Sequence, residues 1–116
     1  MMHPELEILL EIQDLQTLRR DIAQDEYAAS GLAVDVEECT ARLAERISER
    51  EAQLSARTQS RYHRIAQRHE RVVAPVLKGV CYGCFVHVPT SKGHDQDRNT
   101  ELRVCESCGR FIYYAD

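Results

Sequence analysis

The sequence has few of the residues that build a large globular core. Tryptophan is absent, and aromatic residues make up only 6% of the 116 residues. A chain of this length forms at most one ordinary domain or two small pieces. Long helices joined to a small metal-stabilised module fit this composition better than one large hydrophobic core.

Long apolar runs and targeting signals are also missing. No apolar run approaches the roughly 18 residues that a transmembrane helix needs, and residues 1–5 show no basic region followed by an apolar stretch. We therefore expect a cytoplasmic protein that does not act at a membrane. Thiols stay reduced in the cytoplasm, where paired cysteines usually hold a metal or perform redox chemistry.

Four cysteines form two C-x-x-C pairs, Cys81 with Cys84 and Cys105 with Cys108, and 20 residues separate the pairs. Two such turns offer four thiolates at the corners of a tetrahedron, which is the arrangement that Zn²⁺ accepts from sulfur. Two disulfides in a secreted protein would be the alternative. The sequence predicts one structural Zn²⁺ per chain, bound by these four cysteines.

Two glycines accompany the pairs, Gly83 inside the first and Gly109 directly after the second. Because glycine adopts positive φ without strain, we expect both to turn backbone N–H groups toward sulfur.

The fifth cysteine and the histidines are not predicted to be ligands, since four thiolates complete the coordination. Cys39 lies beside an apolar stripe and is interpreted as a small buried hydrophobe. We expect His63 and His69 on the solvated surface, and we expect His87 and His94 to be non-ligands within the zinc module.

Apolar periodicity predicts two long helices. Ile8, Leu15 and Ile22 recur every seven residues and predict an amphipathic helix over residues 5–29. Ser30-Gly31 breaks it, and a second helix is expected over residues 36–74, ending near Pro75. The predicted contacts place Leu15, Leu18 and Ile22 against Val36, Leu43 and Ile47.

The fold class that follows is mostly α with a small β module. An antiparallel helical hairpin, or coiled coil, is expected over residues 1–75, and a four-cysteine zinc ribbon over residues 76–116. The ribbon would carry two knuckles on short antiparallel strands, with a turn at Lys78-Gly79. About 40 residues bury too little apolar area alone, so metal binding would be coupled to folding.

The net charge of −4 conceals a basic segment, because residues 1–29 carry −5 whereas residues 57–71 carry +4. A second helix of 36–74 would extend beyond the first at 1.5 Å per residue, which leaves its last turns without a partner. At 100° per residue, the arginines of that end fall within an arc of about 80°. These residues are Arg57, Arg61, Arg64, Arg68 and Arg71.

This arginine face has two interpretations. A stripe of like charge on an unpaired helix suits phosphate groups or an acidic protein surface. Alternatively, the stripe packs on the ribbon or on a second copy of the chain, with its guanidinium groups paired to Glu101, Glu106 or Asp116. The earlier arginines Arg42, Arg46 and Arg50 are expected to pair with acidic residues of the first helix, namely Glu11, Asp14, Asp21 and Asp25.

No motif supports catalysis, since the sequence contains neither a G-x-S-x-G nucleophile turn nor a glycine loop for phosphates. A site of four thiolates is closed, whereas a catalytic zinc keeps an open position. We therefore expect a non-enzymatic protein without a small-molecule substrate. It would be either a regulator that binds nucleic acid or a transcription component, or an adaptor that binds only proteins.

The cysteine region resembles a known family. The segments C-Y-G-C-F and C-x-x-C-G-R-F-I-Y-Y, which follow Gly79-Val80, are similar to the bacterial C4-type zinc-ribbon, coiled-coil proteins over residues 79–115, and residues 9–15 look like that family's first helix. The resemblance implies Zn²⁺ at Cys81, Cys84, Cys105 and Cys108. It also implies partners such as sigma-54 or RNA and roles in flagellar regulation or secretion, although those relatives carry a longer coiled coil.

A second resemblance is one of architecture only. Short coiled-coil hairpins joined to four-cysteine modules occur in regulators of the RNA polymerase secondary channel of the DksA/TraR type, which carry acidic residues at the hairpin tip. Asp21, Asp25, Glu26 and Asp35 lie near the predicted tip here, but their spacing does not reproduce the D-x-x-D-x-A pattern of that family.

Overall fold

The computed structural model describes residues 2–23, 36–89 and 98–115. Within these ranges lie three helices and a small four-stranded sheet, in agreement with the mostly helical class expected. The elements are α1 (Pro4–Ala23), α2 (Val36–Glu51), α3 (Ala56–Ala66), β1 (Val73–Leu77), β2 (Val80–Cys81), β3 (Arg103–Val104) and β4 (Phe111–Tyr114). The coiled-coil hairpin stays a prediction, because the predicted turn at Ser30-Gly31 lies outside the described residues.

Helix α1 begins at Pro4, where the missing N–H of proline costs nothing. Its fully buried residues are Leu6, Leu9 and Ile12, near the start of the helix. The predicted contact residue Leu18 is instead 44% exposed. The core therefore lies closer to the beginning of α1 than the periodicity predicted. Residues 24–29 of the predicted helix lie outside the described ranges.

Helices α1 and α2 pack against each other. Glu11 lies 2.9 Å from Nε of Arg50 and 3.4 Å from a guanidinium nitrogen of Arg46, as predicted for these arginines. Arg42 pairs instead with Glu38, one turn away in the same helix. The predicted contact residue Leu43 is only half-buried, whereas Ile47 is buried.

The prediction of one continuous helix over residues 36–74 is wrong. Helix α2 ends at Glu51, and α3 begins after Ser55, whose side chain accepts a hydrogen bond from the N–H of Thr58. Serine is among the strongest N-cap residues, because its oxygen satisfies an N–H that has no partner within the helix. The corner also buries Leu54, which joins the hydrophobic core.

After this corner the chain runs back alongside α1. The N–H of Ser55 donates to Glu5 at 2.9 Å, and the side chain of Gln16 lies 3.5 Å from the hydroxyl of Tyr62. Further along, Arg20 donates to the carbonyl of Glu70 at 3.2 Å. The expectation that the basic segment extends beyond α1 is therefore wrong. Folding back buries Tyr62, which a straight helix would leave exposed to water.

The segment before the cysteines is a strand and not the last turn of a helix. Helix α3 ends at Ala66, and Val73 begins β1, in keeping with the preference of valine for extended backbone. Pro75, predicted to terminate the helix, lies inside β1 and its carbonyl accepts the N–H of Tyr82. The domain boundary predicted after residue 75 falls within this strand.

The sheet has the order β2-β1-β4-β3. Strands β1 and β2 are antiparallel, as are β3 and β4, but β1 and β4 pair in parallel. The expectation of antiparallel strands alone is therefore wrong at the centre of the sheet. The predicted turn between β1 and β2 is confirmed, since Lys78 and Gly79 have φ of 51° and 77°. Two positive φ values are characteristic of a tight hairpin turn.

The sheet separates the helical core from the cysteines because side chains alternate along a strand. Phe111 in β4 packs with the helices, whereas its neighbour Ile112 packs with the cysteines. Val73 and Ala74 in β1 divide in the same way. No helix in the described part of the chain combines the length and the apolar character of a membrane span.

Candidate metal centre

The two C-x-x-C turns share one backbone design. In the first turn, the N–H of Phe85 donates to the carbonyl of Cys81 at 2.7 Å, and in the second the N–H of Gly109 donates to the carbonyl of Cys105 at 2.8 Å. In both turns the residue directly after the second cysteine has positive φ, 61° for Phe85 and 80° for Gly109. The turns therefore present their cysteines in equivalent positions.

Each turn directs backbone N–H groups at its first sulfur atom. The thiolate form of Cys81 is favoured by hydrogen bonds from the N–H groups of Gly83 and Cys84. The thiolate form of Cys105 is favoured in the same way by those of Ser107 and Cys108. Such bonds stabilise negative charge on sulfur, as a metal ligand requires.

Gly83 does not have the role that the sequence suggested. Its φ is not positive, and the left-handed residue of the first turn is Phe85. What Gly83 provides is space, because a Cβ atom there would lie 2.9 Å from Cδ and from a guanidinium nitrogen of Arg110, and 3.1 Å from Cβ of Ala74. Glycine at this position lets the side chain of Arg110 cross the first turn. At Gly109 the prediction of positive φ is confirmed.

The structure brings the four predicted ligands into one cluster. Their sulfur atoms all lie within 4.8 Å of one another, with Cys81 and Cys108 4.0 Å apart and Cys84 and Cys105 3.7 Å apart. A Zn–S distance of about 2.3 Å places the corners of a regular tetrahedron about 3.8 Å apart. All four are free cysteines. The cluster therefore has the size of a metal site with four thiolate ligands.

Burial and hydrogen bonding set different proton affinities within the cluster. Burial raises the pKa of Cys81 to about 12 and also raises the pKa of Cys105. At Cys84 burial acts in the same direction, but hydrogen bonds from the N–H of Val86 and from the other thiols outweigh it and lower the pKa to about 7. Without a metal the thiols therefore do not share one protonation state at neutral pH.

The sheet covers one side of the cysteine cluster. Cys81 and Cys105 are buried, and Ala74, Val76 and Ile112 pack around them. Cys84 and Cys108 are half-buried. Four sulfur ligands occupy all positions of a tetrahedron, so a metal held here would have no open site for a substrate.

His69 was expected on the solvated surface, and the structure corrects this prediction. It is half-buried, and its Nε2 lies 3.2 Å from the carbonyl oxygen of Cys108. A protonated Nε2 would donate to that carbonyl and tie the end of α3 to the second turn. The sequence predicted His69 near the end of a helix, and nothing in that pattern indicated a contact with the second cysteine turn. His87 is exposed, as expected of a non-ligand, whereas His94 lies outside the described residues.

The five predicted arginines do not form one helical stripe. Arg57, Arg61 and Arg64 belong to α3, whereas Arg68 and Arg71 follow the end of the helix. Among residues 2–23, 36–89 and 98–115, none of these five guanidinium groups forms an ion pair, including the predicted alternative pairs with Glu101 and Glu106. Asp116 lies outside the described residues.

Three of the arginines line a groove beside the metal centre. The groove lies between the end of α3 and the second cysteine turn and has a volume of about 510 Å³. Its walls include Arg61, Arg64 and Arg68 on one side and Cys108 and Gly109 on the other. The basic residues and the cysteine cluster therefore belong to one continuous surface.

Comparisons of the chain with protein families, curated proteins and solved structures found no match. The family resemblance of the cysteine region therefore stays a prediction, and the geometry of the cluster carries the assignment of the site.

Proposed function

We propose that the chain is a non-enzymatic, zinc-stabilised module that binds RNA. The observation that supports the metal is the cluster of four sulfur atoms within 4.8 Å of one another, held by two equivalent turns. Zn²⁺ fits this donor set because it accepts four thiolates in a closed tetrahedral site. Cys81, Cys84, Cys105 and Cys108 would hold it, and its role would be structural.

The zinc would fasten the strands that surround it. The first cysteine turn follows β2 and the second precedes β4, and the sheet carries residues of the helical core on its other face. Because ligands from both turns must converge, loss of the metal would release the two turns from each other. Helical content would largely remain, since α1, α2 and α3 share a core on the opposite side of the sheet.

The observation that supports RNA is the groove lined by Arg61, Arg64 and Arg68, whose guanidinium groups have no carboxylate partner among the described residues. Like charges that stay unneutralised attract phosphate groups and repel one another without them. Phosphate contacts release counterions, so such binding weakens steeply with salt.

The test compares two variants with the same change in net charge. In the first, Arg64 and Arg68, both exposed, are changed to glutamate. In the control, Arg42 and Arg46 of α2 are changed to glutamate. These residues are also exposed but lie away from the groove, and both are paired with carboxylates. Zinc content and circular dichroism establish that both variants are folded.

Fluorescence anisotropy with a labelled single-stranded RNA measures the affinity at several salt concentrations. We expect Arg64→Glu with Arg68→Glu to abolish binding and the control to retain it. In the wild type, log affinity should fall with log salt with a slope of about 0.7 per phosphate contacted. Equal losses in both variants, or affinity that does not depend on salt, would contradict RNA binding at this groove. Salt-insensitive capture of a protein would instead favour an adaptor that binds only proteins.

A further inference from the structure

Two aromatic side chains project from the first cysteine turn. Tyr82 is 48% exposed and Phe85 is 72% exposed, and their ring centroids are 5.6 Å apart with an angle of 55° between the ring planes. Single exposed apolar residues are common on protein surfaces. A contacting pair in a chain with only 6% aromatic residues is more informative.

Phe85 occupies a backbone position that does not favour phenylalanine. Its φ of 61° lies in the left-handed region, which glycine occupies at the equivalent position of the second turn. The strained backbone is not offset by burial, since the ring is mostly in solvent. Neither packing nor backbone geometry therefore explains a phenylalanine here, and strained residues that persist without such a reason point to function.

The aromatic pair is connected to the basic groove through a chain of contacts. The side chain of Arg110 lies against Gly83, between Tyr82 and Phe85 in the sequence, and its Nε donates to the carbonyl of Arg71 at 3.0 Å. Two residues before Arg71, the ring of His69 meets the second cysteine turn, which forms a wall of the groove.

We propose that Tyr82 and Phe85 form a stacking platform for unpaired bases, while the groove and Arg110 hold the phosphates of the same strand. This inference rests on the proposed RNA binding and specifies its ligand as single-stranded RNA. Proteins that bind single strands combine a basic groove with aromatic rings on which bases stack. In a duplex the bases are already stacked on each other and cannot reach such rings.

The positive charge of the groove favours a nucleic acid over an apolar partner segment. An apolar peptide would meet the aromatic pair but would leave the arginines of the groove without counter-charges. A nucleic acid strand satisfies both features, since it presents base faces and phosphates at regular intervals.

The test uses Phe85→Gly, which removes the ring and accepts the left-handed backbone, and Phe85→Leu, which keeps apolar surface but has no aromatic face. The probes are a labelled uridine 16-mer and an RNA duplex of the same length. We expect both variants to bind zinc and to lose about 5- to 150-fold in affinity for the uridine strand, as for removal of one stacking contact. The salt dependence should not change, because the phosphate contacts remain.

The outcomes separate this inference from the proposed function. If the wild type binds neither probe, the proposed RNA binding itself fails. If it binds the uridine strand in a salt-dependent way but Phe85→Gly binds equally well, RNA binding stands and the platform is overturned. Full affinity in Phe85→Leu would also overturn stacking, since apolar contact alone would then suffice. A wild type that binds duplex as tightly as the single strand contradicts the inference as well.

Discussion

Exchanging the residue types at the two left-handed positions of the cysteine turns should change stability in opposite directions. A left-handed conformation costs a residue with a Cβ atom roughly 1–2 kcal/mol, whereas glycine adopts it freely but loses about 0.5–1 kcal/mol more backbone entropy on folding. Phe85→Gly should therefore stabilise the zinc-bound protein by about 0.5–1 kcal/mol. Little burial is lost, because the ring is 72% exposed.

Gly109→Ala is the reciprocal change and should destabilise by a similar amount. A Cβ atom at Gly109 would meet nothing within 4 Å, so the cost arises from the backbone alone. Thermal unfolding of the zinc-saturated protein, followed by circular dichroism, measures both effects. At about 4 °C per kcal/mol for a chain of this size, the two midpoints should differ by about 4–8 °C.

A Phe85→Gly variant that melts below the wild type, or a Gly109→Ala variant that is as stable as the wild type, would contradict this prediction. The first result would mean that the phenylalanine ring contributes packing that its exposure does not show. The second would mean that the second turn does not require a left-handed residue.

Further predictions concern the core, the helix break and the protons of the cluster. Leu9→Ala should destabilise by about 2–5 kcal/mol and Leu18→Ala by much less, since Leu9 is 1% exposed and Leu18 is 44% exposed; equal effects in chemical denaturation would contradict the position of the core. Ser55→Ala should destabilise by about 1 kcal/mol through loss of the N-cap, whereas in an uninterrupted helix alanine would stabilise. Metal affinity, measured by competition with a chelator, should rise with pH because the ligands must lose protons. Cys84 is a thiolate above its pKa of about 7 and protonated below it, so each metal ion should displace one more proton below that pH. The metal affinity should therefore change more steeply with pH below about 7. An affinity that does not change with pH would contradict this.

The candidate metal site was predicted from the sequence because its signal is local. The spacing of Cys81, Cys84, Cys105 and Cys108 is enough to propose four ligands, and the structure places their sulfur atoms together. The hairpin turn at Lys78-Gly79 is equally local and was also predicted. What the spacing did not show is which residue turns the backbone, since Phe85 rather than Gly83 has positive φ.

The course of the second half of the helical region could not be predicted in this way. Leu43, Leu54 and Ile65 are spaced as on one straight helix, so the periodicity continues through the corner at Ser55. The corner exists because it brings Tyr62 and Ile65 onto α1, a contact between residues far apart in sequence. Periodicity within one segment contains no information about such contacts.

The predicted arginine face shows that helical spacing alone also could not locate the candidate binding groove. Their helical spacing predicted one face, but the end of α3 divides them and only Arg61, Arg64 and Arg68 meet at the groove. The opposite wall of the groove is the second cysteine turn, whose Cys108 lies 40 residues after Arg68 in the chain. The ring of His69 lies against the carbonyl of Cys108, and Arg110 donates to the carbonyl of Arg71; these contacts bring the two regions together.

The most direct test of the account is the zinc content of the purified protein. Native mass spectrometry and elemental analysis of protein prepared under reducing conditions should find one Zn²⁺ per chain. Cys105→Ser should lose the metal and the order of the strands around it while most of the helical signal remains. Wild-type protein that contains no zinc and takes up none when it is supplied would contradict the account.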